Sequence, residues 1–495
     1  MPSEAYKSLD LKLKRAQTLG SVAGLLHWDE QVNLPADSAD QRQEQNALLA
    51  QLNHEASTDP EIGALLAQLE SEDLEEDQKV VIREKRKHYD RQTKLPAEFV
   101  DKCARLQSEA YHAWAAARKN DDFASFAPYI QKHIDYSLEY AQLVGWEKDP
   151  YDLLIDNHDP GMDAASIDAL FSEFRSELAP IVKTILESSN QPQTDIFNGF
   201  PISQQEAFLK EVTSAIGFNY QRGRIDISLH PFCSGNASDI RMTTRFDVDN
   251  PLDSLFSSIH ETGHGLYEQG LPRDQLHNAL GQAAGMGVHE SQSRLWENQV
   301  SRSKAFWKYF EPKFRQAFHE QLNDVSSEAL YLAINAVSKC PIRVDSDEVT
   351  YNLHIIIRFE IEKKLFSGEL KVNELPQYWN NQYKELLDID VENDANGVLQ
   401  DIHWSGGAFG YFPSYCLGNM LAAQLWYAAL DQIEGLEGQF ESGNFQPLLD
   451  WLRKNIHQHG SKHYLKELTQ KVTGQELSPK SLIRYLKDRY LPLYT

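Results

Sequence analysis

Apolar residues recur at steps of three and four along most of this chain, and this spacing limits the possible folds more than any other feature. Such a period is typical of α-helices that bury one face. The segment from Pro96 to about Asn120 illustrates it, with Phe99, Val100, Cys103, Leu106, Ala110 and Trp114 on one face. Pro96 suits the first turn of that helix. Ser478-Pro479 predicts another helix start near the C-terminus, with Leu482, Ile483 and Leu486 on its inner side.

One stretch departs from the helical pattern. Residues 224–247 read RIDISLHPFCSGNASDIRMTTRFD, in which Ile225, Ile227 and Leu229 alternate with polar residues as in a strand. The run SGNAS predicts a turn, and Ile240 to Phe246 a second strand. We therefore expect a mainly α protein with a small β insert.

Glycine-rich, serine-rich and proline-rich linkers are missing from the sequence. We expect residues 1–495 to form one large helical domain, either as one body or as two lobes around a deep cleft. The acidic run from Glu70 to Asp77 is interpreted as a solvated connection between helices.

Charge and cysteine usage exclude several classes of protein. With 48 basic and 73 acidic side chains the net charge is −25, which argues against nucleic acid or an anionic membrane as a partner. The four cysteines are far apart and form no CxxC pair, as expected for buried thiols in a reducing compartment. The N-terminal segment lacks the apolar run of a signal peptide. These features predict a cytoplasmic protein.

Residues 250–272, NPLDSLFSSIHETGHGLYEQGLP, carry the start and stop signals of a helix. Asn250 suits the N-cap, and Pro251 the first helical position. Gly270 and Pro272 mark the other end. This helix contains the segment His-Glu-Thr-Gly-His, and the β insert ends directly before it, where it can form a wall of a site.

His260 and His264 lie four residues apart, so on a helix they share one face and can bind one metal ion. Glu261 points slightly around the helix, where its carboxylate can take a proton from a water held by the metal. Gly263 and Gly265 cost helix stability of about 1 kcal/mol each. They therefore indicate that a neighbouring helix or a substrate approaches the backbone closely.

A catalytic zinc usually has three protein ligands and one open position. The segment from residue 285 to 300, GMGVHESQSRLWENQV, predicts a second helix that starts near Val288. Glu290 follows His260 by thirty residues, a suitable distance for an antiparallel pair of helices. Spacing alone leaves Glu290, His289 and Glu297 open as the third ligand.

Several longer motifs lie between about residue 230 and residue 404. His230-Pro231-Phe232 forms an HPF motif, and Asp239, Arg241 and Thr243 fit DxRxT. His289-Glu290-Ser291-Gln292 fits HES(G/Q). The pattern GxxQDxHW is matched by Gly397, Gln400, Asp401, His403 and Trp404. In these motifs and their order the chain resembles the carboxypeptidase Taq family, and one motif departs: (I/V)RxxAD has Ser346 in place of alanine.

The resemblance implies a helical, broadly specific metallocarboxypeptidase that acts on peptides with a free C-terminus. It also implies a homodimer, one zinc or cobalt ion per subunit, and Glu290 as the third ligand.

Roles for other residues follow as hypotheses. Tyr411, after the glycines at 406, 407 and 410, is the candidate oxyanion donor; His403 and Tyr415 are alternatives, and so is an aromatic core role for Tyr411. A guanidinium suits a terminal carboxylate. Arg343 is the first candidate and Arg241 the second, and the alternative for Arg343 is an internal salt bridge to Asp345 or Asp347. His230 and Asp239 either shape the site or only hold the β insert together.

Two other functions are compatible with the metal motif. One is an endopeptidase or dipeptidyl peptidase on a related scaffold, which would lack the carboxylate anchor. The other is a peptide-binding or scaffold protein with a vestigial metal site. The intact set of His260, Glu261 and His264 argues against the second.

Overall fold

The computed structural model describes residues 3–495, and for Ala36 the backbone alone. Helices dominate, and the expected mainly α fold with a small sheet is confirmed. In chain order the α-helices are α1 Glu4–Val32, α2 Ala39–Ser57, α3 Pro60–Leu69, α4 Glu76–Thr93, α5 Ala97–Asn120, α6 Phe123–Val144, α7 Pro150–His158, α8 Ala164–Leu186, α9 Ile202–Ala215, α10 Pro251–Gly270, α11 Met286–Arg294, α12 Lys304–Ala317, α13 His319–Leu322, α14 Ser327–Ile334, α15 Tyr351–Ser367, α16 Leu375–Leu387, α17 Phe412–Gln432, α18 Leu436–Glu441, α19 Gln446–Asn455, α20 Leu465–Thr473 and α21 Lys480–Tyr494.

The chain divides into two compact units. The first unit contains the described residues up to Thr93 together with Gln193–Ile334 and Ala422–Glu476. The second contains Lys94–Pro192, Asn335–Leu421 and Leu477–Thr495. Each unit is therefore assembled from three separate stretches of sequence.

Helix α10 lies at the centre of the first unit, where it packs against α9, α11 and the sheet. Its apolar residues, among them Leu255, Ile259 and Leu266, are buried as their spacing predicts. Asn250 occupies the N-cap and Pro251 the first position, as expected. Helix α11 begins at Met286, two residues before the predicted start, and is followed by a π-helix at Leu295–Val300.

The sheet has three strands rather than the two that the sequence predicted: β1 Gly223–Ile227, β2 Cys233–Asn236 and β3 Asp239–Thr244. Their order is β1-β3-β2, with β1 parallel and β2 antiparallel to β3. The turn predicted at 234–238 is confirmed only at Ala237 and Ser238, because Ser234, Gly235 and Asn236 belong to β2. Gly235 has a φ of +111°, and its backbone lies so close to Asp239 that a Cβ would not fit. Glycine permits both, so this turn-like sequence can pair as a strand.

The alternation that predicted the first strand does not mark a buried face. Ile227 is 57% exposed, and Leu229, just beyond the strand, is 87% exposed. Strand β1 lies at the edge of the sheet and is held by its pairing with β3.

In the second unit, α15 is buried along most of its length and packs against α7, α8 and α16. The helix expected after Pro96 is α5, with Pro96 at its N-cap. Phe99, Leu106 and Ala110 are buried as predicted, but Val100 is 40% exposed. In α21 the predicted inner residues Leu482, Ile483 and Leu486 are all buried.

Among residues 3–495, no helix is long and apolar enough to cross a membrane. The four cysteines are free thiols. The acidic run from Glu70 leads from the end of α3 at Leu69 to the start of α4 at Glu76, as expected for a connection between helices.

Candidate metal centre

Helix α10 carries His260 and His264 on one face. Their ring centroids are 4.8 Å apart and the rings are nearly perpendicular. This follows from the helix geometry, which places residues i and i+4 one turn apart. Both rings are largely buried, with 17% and 14% of each side chain exposed.

A carboxylate from α11 completes the group. Glu290 Oε2 lies 3.6 Å from His260 Nε2 and 3.4 Å from His264 Nε2. The three ligand atoms all lie within 4.8 Å of one another. The structure therefore brings together the two histidines and the carboxylate of the HES(G/Q)-like motif.

These distances fit a divalent ion. Ligand atoms at about 2.0–2.2 Å from a tetrahedral zinc ion are separated from one another by about 3.3 Å. The two separations between histidine nitrogens and Glu290 are close to that value. Two nitrogens and one oxygen also form the ligand set of many catalytic zinc sites, which keep a fourth position open.

Each histidine is oriented through its second ring nitrogen. His260 Nδ1 lies 2.8 Å from Glu297 Oε2. His264 Nδ1 lies 2.5 Å from His289 Nδ1, and His289 Nε2 is 3.0 Å from Glu268 Oε1. Carboxylates that fix the far nitrogen of a metal-binding histidine are a common support for such sites. Glu297 and His289, the two alternatives for the third ligand, both contact the far side of the histidines.

Positively charged and hydrogen-bonding neighbours hold Glu290 in its charged form. Arg294 Nε donates to Oε1 at 2.6 Å, and Ser293 Oγ donates to Oε2 at 3.0 Å. Burial alone would raise the pKa of Glu290, but Arg294 and the two histidines outweigh it and hold that pKa well below its usual range. For Glu297, Arg294 and His260 likewise overcome burial and lower the pKa to about 2.

The electrostatics of the histidines favour a cation at this position. Burial lowers the pKa of His264 to about 3, so its imidazole is neutral and keeps a lone pair for a metal. Burial acts in the same direction on His260, but Glu290 and Glu297 outweigh it and raise its pKa. The two carboxylates thus stabilise positive charge beside His260.

Glu261, the neighbour of His260, is 8% exposed. Burial is the main reason why its pKa is raised to about 7, and the nearby Glu290 adds to the effect. Among residues 3–495, none donates a hydrogen bond to its carboxylate. A carboxylate with a pKa near 7 is suited to accept and return a proton at neutral pH.

The two mid-helix glycines have the close neighbours that the sequence predicted. A Cβ on Gly263 would lie 2.5 Å from Ser293 Cα and 2.6 Å from the Gln292 carbonyl oxygen, so α11 passes directly against α10 here. A Cβ on Gly265 would meet Phe218 and the Met242 side chain of β3, at 3.0 and 3.1 Å. Gly263 thus permits the approach that places Glu290 opposite the histidines.

The other predicted residues of the first unit lie on or beside the sheet, which packs against α10. Arg241 pairs with Asp239 at 3.0 Å, and its guanidinium lies 4.3 Å from the Trp28 ring centroid. His230 is exposed, and its carbonyl oxygen accepts a hydrogen bond from Ser228 Oγ at 2.6 Å. The Asp239–Arg241 pair agrees with the alternative in which Asp239 only holds the β insert together.

Arg343 belongs to the second unit and lies in a buried ionic cluster. Its Nε donates to Asp401 Oδ1 at 2.9 Å, and its Nη1 donates to the Tyr351 hydroxyl at 2.9 Å. Arg358 Nε donates to Asp401 Oδ2 at 2.6 Å, and Gln400 Oε1 accepts from Arg358 Nη2 at 2.9 Å. Arg343 therefore does form an internal salt bridge, with Asp401.

The candidate oxyanion donors are also in the second unit. His403 Nε2 lies 3.1 Å from the Tyr415 hydroxyl, and the Tyr411 ring centroid is 5.3 Å from that of Tyr415. Burial, reinforced by the charge of Arg343, lowers the pKa of His403 to about 3, which makes it a neutral imidazole. Tyr411 also contacts His158 edge to face.

Comparison with known proteins decides the family. The model of the carboxypeptidase Taq (M32) metallopeptidase family matches residues 8–490. The chain belongs to the M32 carboxypeptidase family. It is an M32 metallocarboxypeptidase, a peptide hydrolase of a family that uses a divalent metal. Within residues 3–495, His260, His264 and Glu290 are the group found that could hold such an ion.

Relatives and solved structures cover the M32 chain almost completely. It is 39% identical to thermostable carboxypeptidase 1 of Thermus thermophilus, over 100% of this chain and 99% of the relative. Carboxypeptidase 1 of Bacillus subtilis is 36% identical, with 97% of each chain covered. The crystal structure of the M32 carboxypeptidase from Deinococcus radiodurans R1 superposes with a TM-score of 0.97 at 38% identity, covering 99% of this chain and all of the other. Metallocarboxypeptidase 1 of Trypanosoma cruzi gives 0.94 at 34% identity, with 99% of each chain covered.

Several contacts within the two units of the M32 enzyme escaped the sequence reasoning. Arg294 follows Glu290 by four residues, so helical spacing could have placed it beside that carboxylate. Glu297 was considered only as a metal ligand, and its contact with Arg294 was missed. Glu268 and Arg358 gave no such signal, because their partners come from other parts of the chain.

Proposed function

We propose that this carboxypeptidase removes C-terminal residues from peptides with broad specificity, using one zinc ion per subunit, with cobalt as the alternative metal. His260, His264 and Glu290 would hold the ion. The observation that carries this proposal is that Glu290 Oε2 lies 3.6 and 3.4 Å from the two histidine nitrogens, close to the separation of ligand atoms around a tetrahedral zinc ion. When bound, such an ion polarises the scissile carbonyl and lowers the pKa of water.

Glu261 would act as the general base and then as the general acid. Its carboxylate takes a proton from the attacking water and passes it to the departing amine. A pKa near 7 supports both steps, because the group is charged and protonated in comparable amounts at neutral pH. Glu261 follows His260 directly in the chain, which supports a position of its carboxylate close to the reacting atoms.

Tyr411 and His403 are the proposed donors for the oxyanion, and Tyr415 is the alternative. A neutral imidazole can donate through one nitrogen while the other accepts, and His403 Nε2 is paired with the Tyr415 hydroxyl. A hydroxyl donor aimed at developing negative charge stabilises a tetrahedral intermediate.

Arg343 is the proposed anchor for the substrate's terminal carboxylate, with Arg241 as the second candidate. Arg343 and Arg358 share the single carboxylate of Asp401, so two cations face one anion. The charge left over favours a further anion, and a guanidinium binds a carboxylate through two parallel hydrogen bonds. The charge of Arg241 is matched by Asp239, which ranks it second.

His230 and Asp239 are proposed to shape the substrate site from the sheet, because the sheet packs on the helix that carries the histidines. We further propose that residues 1–495 act as one catalytic domain, and that the protein is a cytoplasmic homodimer without nucleic-acid or membrane partners. The family resemblance supports the dimer, and the net charge of −25 supports the exclusion of polyanionic partners.

A timed peptide digest followed by mass spectrometry tests the function. We expect a ladder that shortens from the C-terminus, stops when a chelator removes the metal, and resumes when zinc is restored. Internal cleavage products would point instead to an endopeptidase.

Peptides with an amidated or a free C-terminus test whether Arg343 anchors the terminal carboxylate. Arg343→Gln leaves Arg358 to pair with Asp401, so the fold should survive. We expect kcat/KM for a free-acid peptide to fall roughly 10–100-fold, with less change for the amidated peptide. Arg241→Gln is the matched comparison. An unchanged preference in the Arg343 variant, with a lost preference in the Arg241 variant, would transfer the role to Arg241.

A further inference from the structure

A second basic site lies in the first unit, where the end of α10 meets α19 and the chain before β1. It is a cavity of about 580 Å³. This volume falls in the range of small-molecule sites, which is about 300–1,000 Å³. The charged side chains that line it are those of Arg222, Arg273, Asp274 and Arg453, and Asn219, Gln269 and Gln458 add amide side chains.

The charge of this cavity is opposite to that of the protein. Three arginines against one aspartate leave two positive charges in excess, whereas the whole chain carries −25. In so acidic a chain, most cationic side chains have carboxylates nearby. A cavity that gathers three guanidiniums is therefore an exception that needs a physical reason.

The three guanidiniums are poorly neutralised by their surroundings. Arg222 Nη1 donates to the carbonyl oxygens of Ala237 and Gln269, at 2.8 and 3.3 Å. Arg273 Nε makes one long contact, 3.4 Å to the Ser238 hydroxyl. Within residues 3–495, neither has a carboxylate oxygen within 4.0 Å.

Arg453 has a carboxylate partner, but a loose one. Its Nη1 lies 3.8 Å from Asp450 Oδ1, beyond hydrogen-bond distance. Asp274 lines the same cavity without pairing to any of the three arginines, and its carboxylate instead accepts from Gln275 Nε2 at 3.2 Å. Most of the N–H groups of the three arginines thus remain available to a ligand.

Mutual repulsion of the three charges is visible at Arg222. Burial lowers the pKa of its guanidinium, and the charges of Arg273 and Arg453 lower it further. An arginine cannot relieve this repulsion by losing its proton under ordinary conditions. An anion placed among the three side chains would relieve it.

We propose that this cavity binds a small multivalent oxyanion, a molecule that carries phosphate groups or several carboxylates, between Arg222, Arg273 and Arg453. Guanidiniums recognise both groups through paired, charge-assisted hydrogen bonds. Asn219 and Gln458 supply amide side chains for neutral parts of the ligand.

Such a ligand would connect the end of the metal-binding helix to the rest of the first unit. Gln269 and Gly270 are the last residues of α10, and both line the cavity. Arg453 extends from α19, and Arg222 directly precedes β1. The bound anion would bridge these three elements and raise the thermal stability of the protein by mass action.

Isothermal titration of the metal-loaded enzyme with sodium sulfate tests the proposal, at constant ionic strength maintained with sodium chloride. Sulfate is a suitable probe because it is a poor chelator and leaves the active-site metal in place. We expect saturable sulfate binding, with one bound sulfate per chain that depends on Arg453. Arg453→Gln should weaken it at least about tenfold, since a hydrogen bond to a charged group contributes about 1.5–3 kcal/mol.

Lys454→Gln is the matched control, because it removes one positive charge from the next residue, which is exposed and does not line the cavity. Its sulfate affinity should change less than about twofold at 0.15 M salt, where exposed charges are screened. Both variants should hydrolyse peptides at the rate of the parent enzyme. Equal weakening by the two variants, or no saturable binding at all, would overturn the proposal.

Crystals grown without sulfate and soaked in selenate locate the anion through the anomalous signal of selenium. The expected peak lies among the three guanidiniums. A peak only at the active-site metal would contradict the proposal. Titration with fructose 1,6-bisphosphate and with succinate then distinguishes the two sources of oxyanion, since tighter binding of one assigns the site to phosphorylated molecules or to polycarboxylates.

Discussion

The metal-binding group of the first unit and the arginine cluster of the second both bury a carboxylate between positive or potentially positive groups. Around Glu290 the protein supplies one arginine and two imidazoles, and the imidazoles keep lone pairs directed at a common point. Around Asp401 it supplies two arginines, which have no lone pairs to offer. The first arrangement attracts a cation, and the second has positive charge in excess.

This difference shows how the identity of one neighbour decides what a buried carboxylate can do. Histidine can be neutral and bind a metal through a lone pair, whereas arginine stays charged, offers only hydrogen-bond donors and favours an anion. Removing a group from the first cluster should therefore change metal binding or turnover, and removing one from the second should mainly change stability or carboxylate recognition.

The largest effect is expected at the first cluster, from Glu261→Gln. The amide keeps the size of the side chain but cannot accept the proton, so kcat should fall about 10²–10⁴-fold. Metal content, measured by elemental analysis, should equal that of the parent enzyme. Normal turnover with bound metal would refute the role of Glu261 as the base.

In the second cluster, Asp401→Asn should reduce the free energy of unfolding by about 3–5 kcal/mol, because it leaves two buried guanidiniums without a counter-charge. Urea unfolding measures the loss. Asp388→Asn, which breaks exposed pairs with Lys339 and Lys384, is the control and should cost less than about 1 kcal/mol. Similar losses in both variants would mean that the buried cluster contributes no special stability.

Gly263→Ala tests whether the close approach of α10 and α11 sets up the first cluster. The added methyl would press on the backbone at Ser293 and Gln292, and overpacking of this kind costs about 1–3 kcal/mol. Displacement of α11 should also weaken metal binding. Gly265→Ala meets flexible side chains of Phe218 and Met242 instead, so it should retain more metal affinity. Equilibrium dialysis of both variants checks the ranking, and the reverse order would contradict it.

Glu297→Gln should weaken metal binding about 10–100-fold, because the carboxylate that orients His260 through Nδ1 is lost. Competition with a zinc chelator of known affinity gives the dissociation constant. At saturating metal, kcat should recover most of its value. A variant that never binds metal would instead make Glu297 a direct ligand.

The smallest effect is a pH dependence that belongs to the second cluster. Burial would raise the pKa of Asp401, but Arg343 and Arg358 outweigh it and hold the pKa well below its usual range. As the pH falls, the Asp401 carboxylate is therefore protonated first in the unfolded chain, near pH 3.9. The stability that Asp401 contributes above that pH is lost as the pH falls further toward the pKa of the folded protein. One such proton changes the unfolding free energy by up to about 1.4 kcal/mol per pH unit. Between pH 5 and 3 the Asp401→Asn variant should show a shallower slope, and an equal slope would contradict the assignment.

Residues of the two clusters differed in how well the sequence predicted them. His260, His264 and Gly263 were predicted because each depends on helical spacing or helix propensity. The partner of Arg343 was not, since Asp401 is 58 residues away in sequence and reaches it only through packing. The third strand was missed for a similar reason. Gly235 and Asn236 have the composition of a turn, and pairing with β3 makes them a strand.

The sequence by itself determined the mainly helical fold class, which face of α10 carries the histidines, and the family to which the motifs point. These depend on short-range spacing and on residue types that can be read in order. Tertiary structure decided which distant groups meet: Glu290 with the two histidines, Asp401 with its two arginines, and three arginines around one cavity. Such contacts depend on how the helices pack against one another. Because the side chains that meet are tens to hundreds of residues apart, no local sequence pattern predicts that they are in contact.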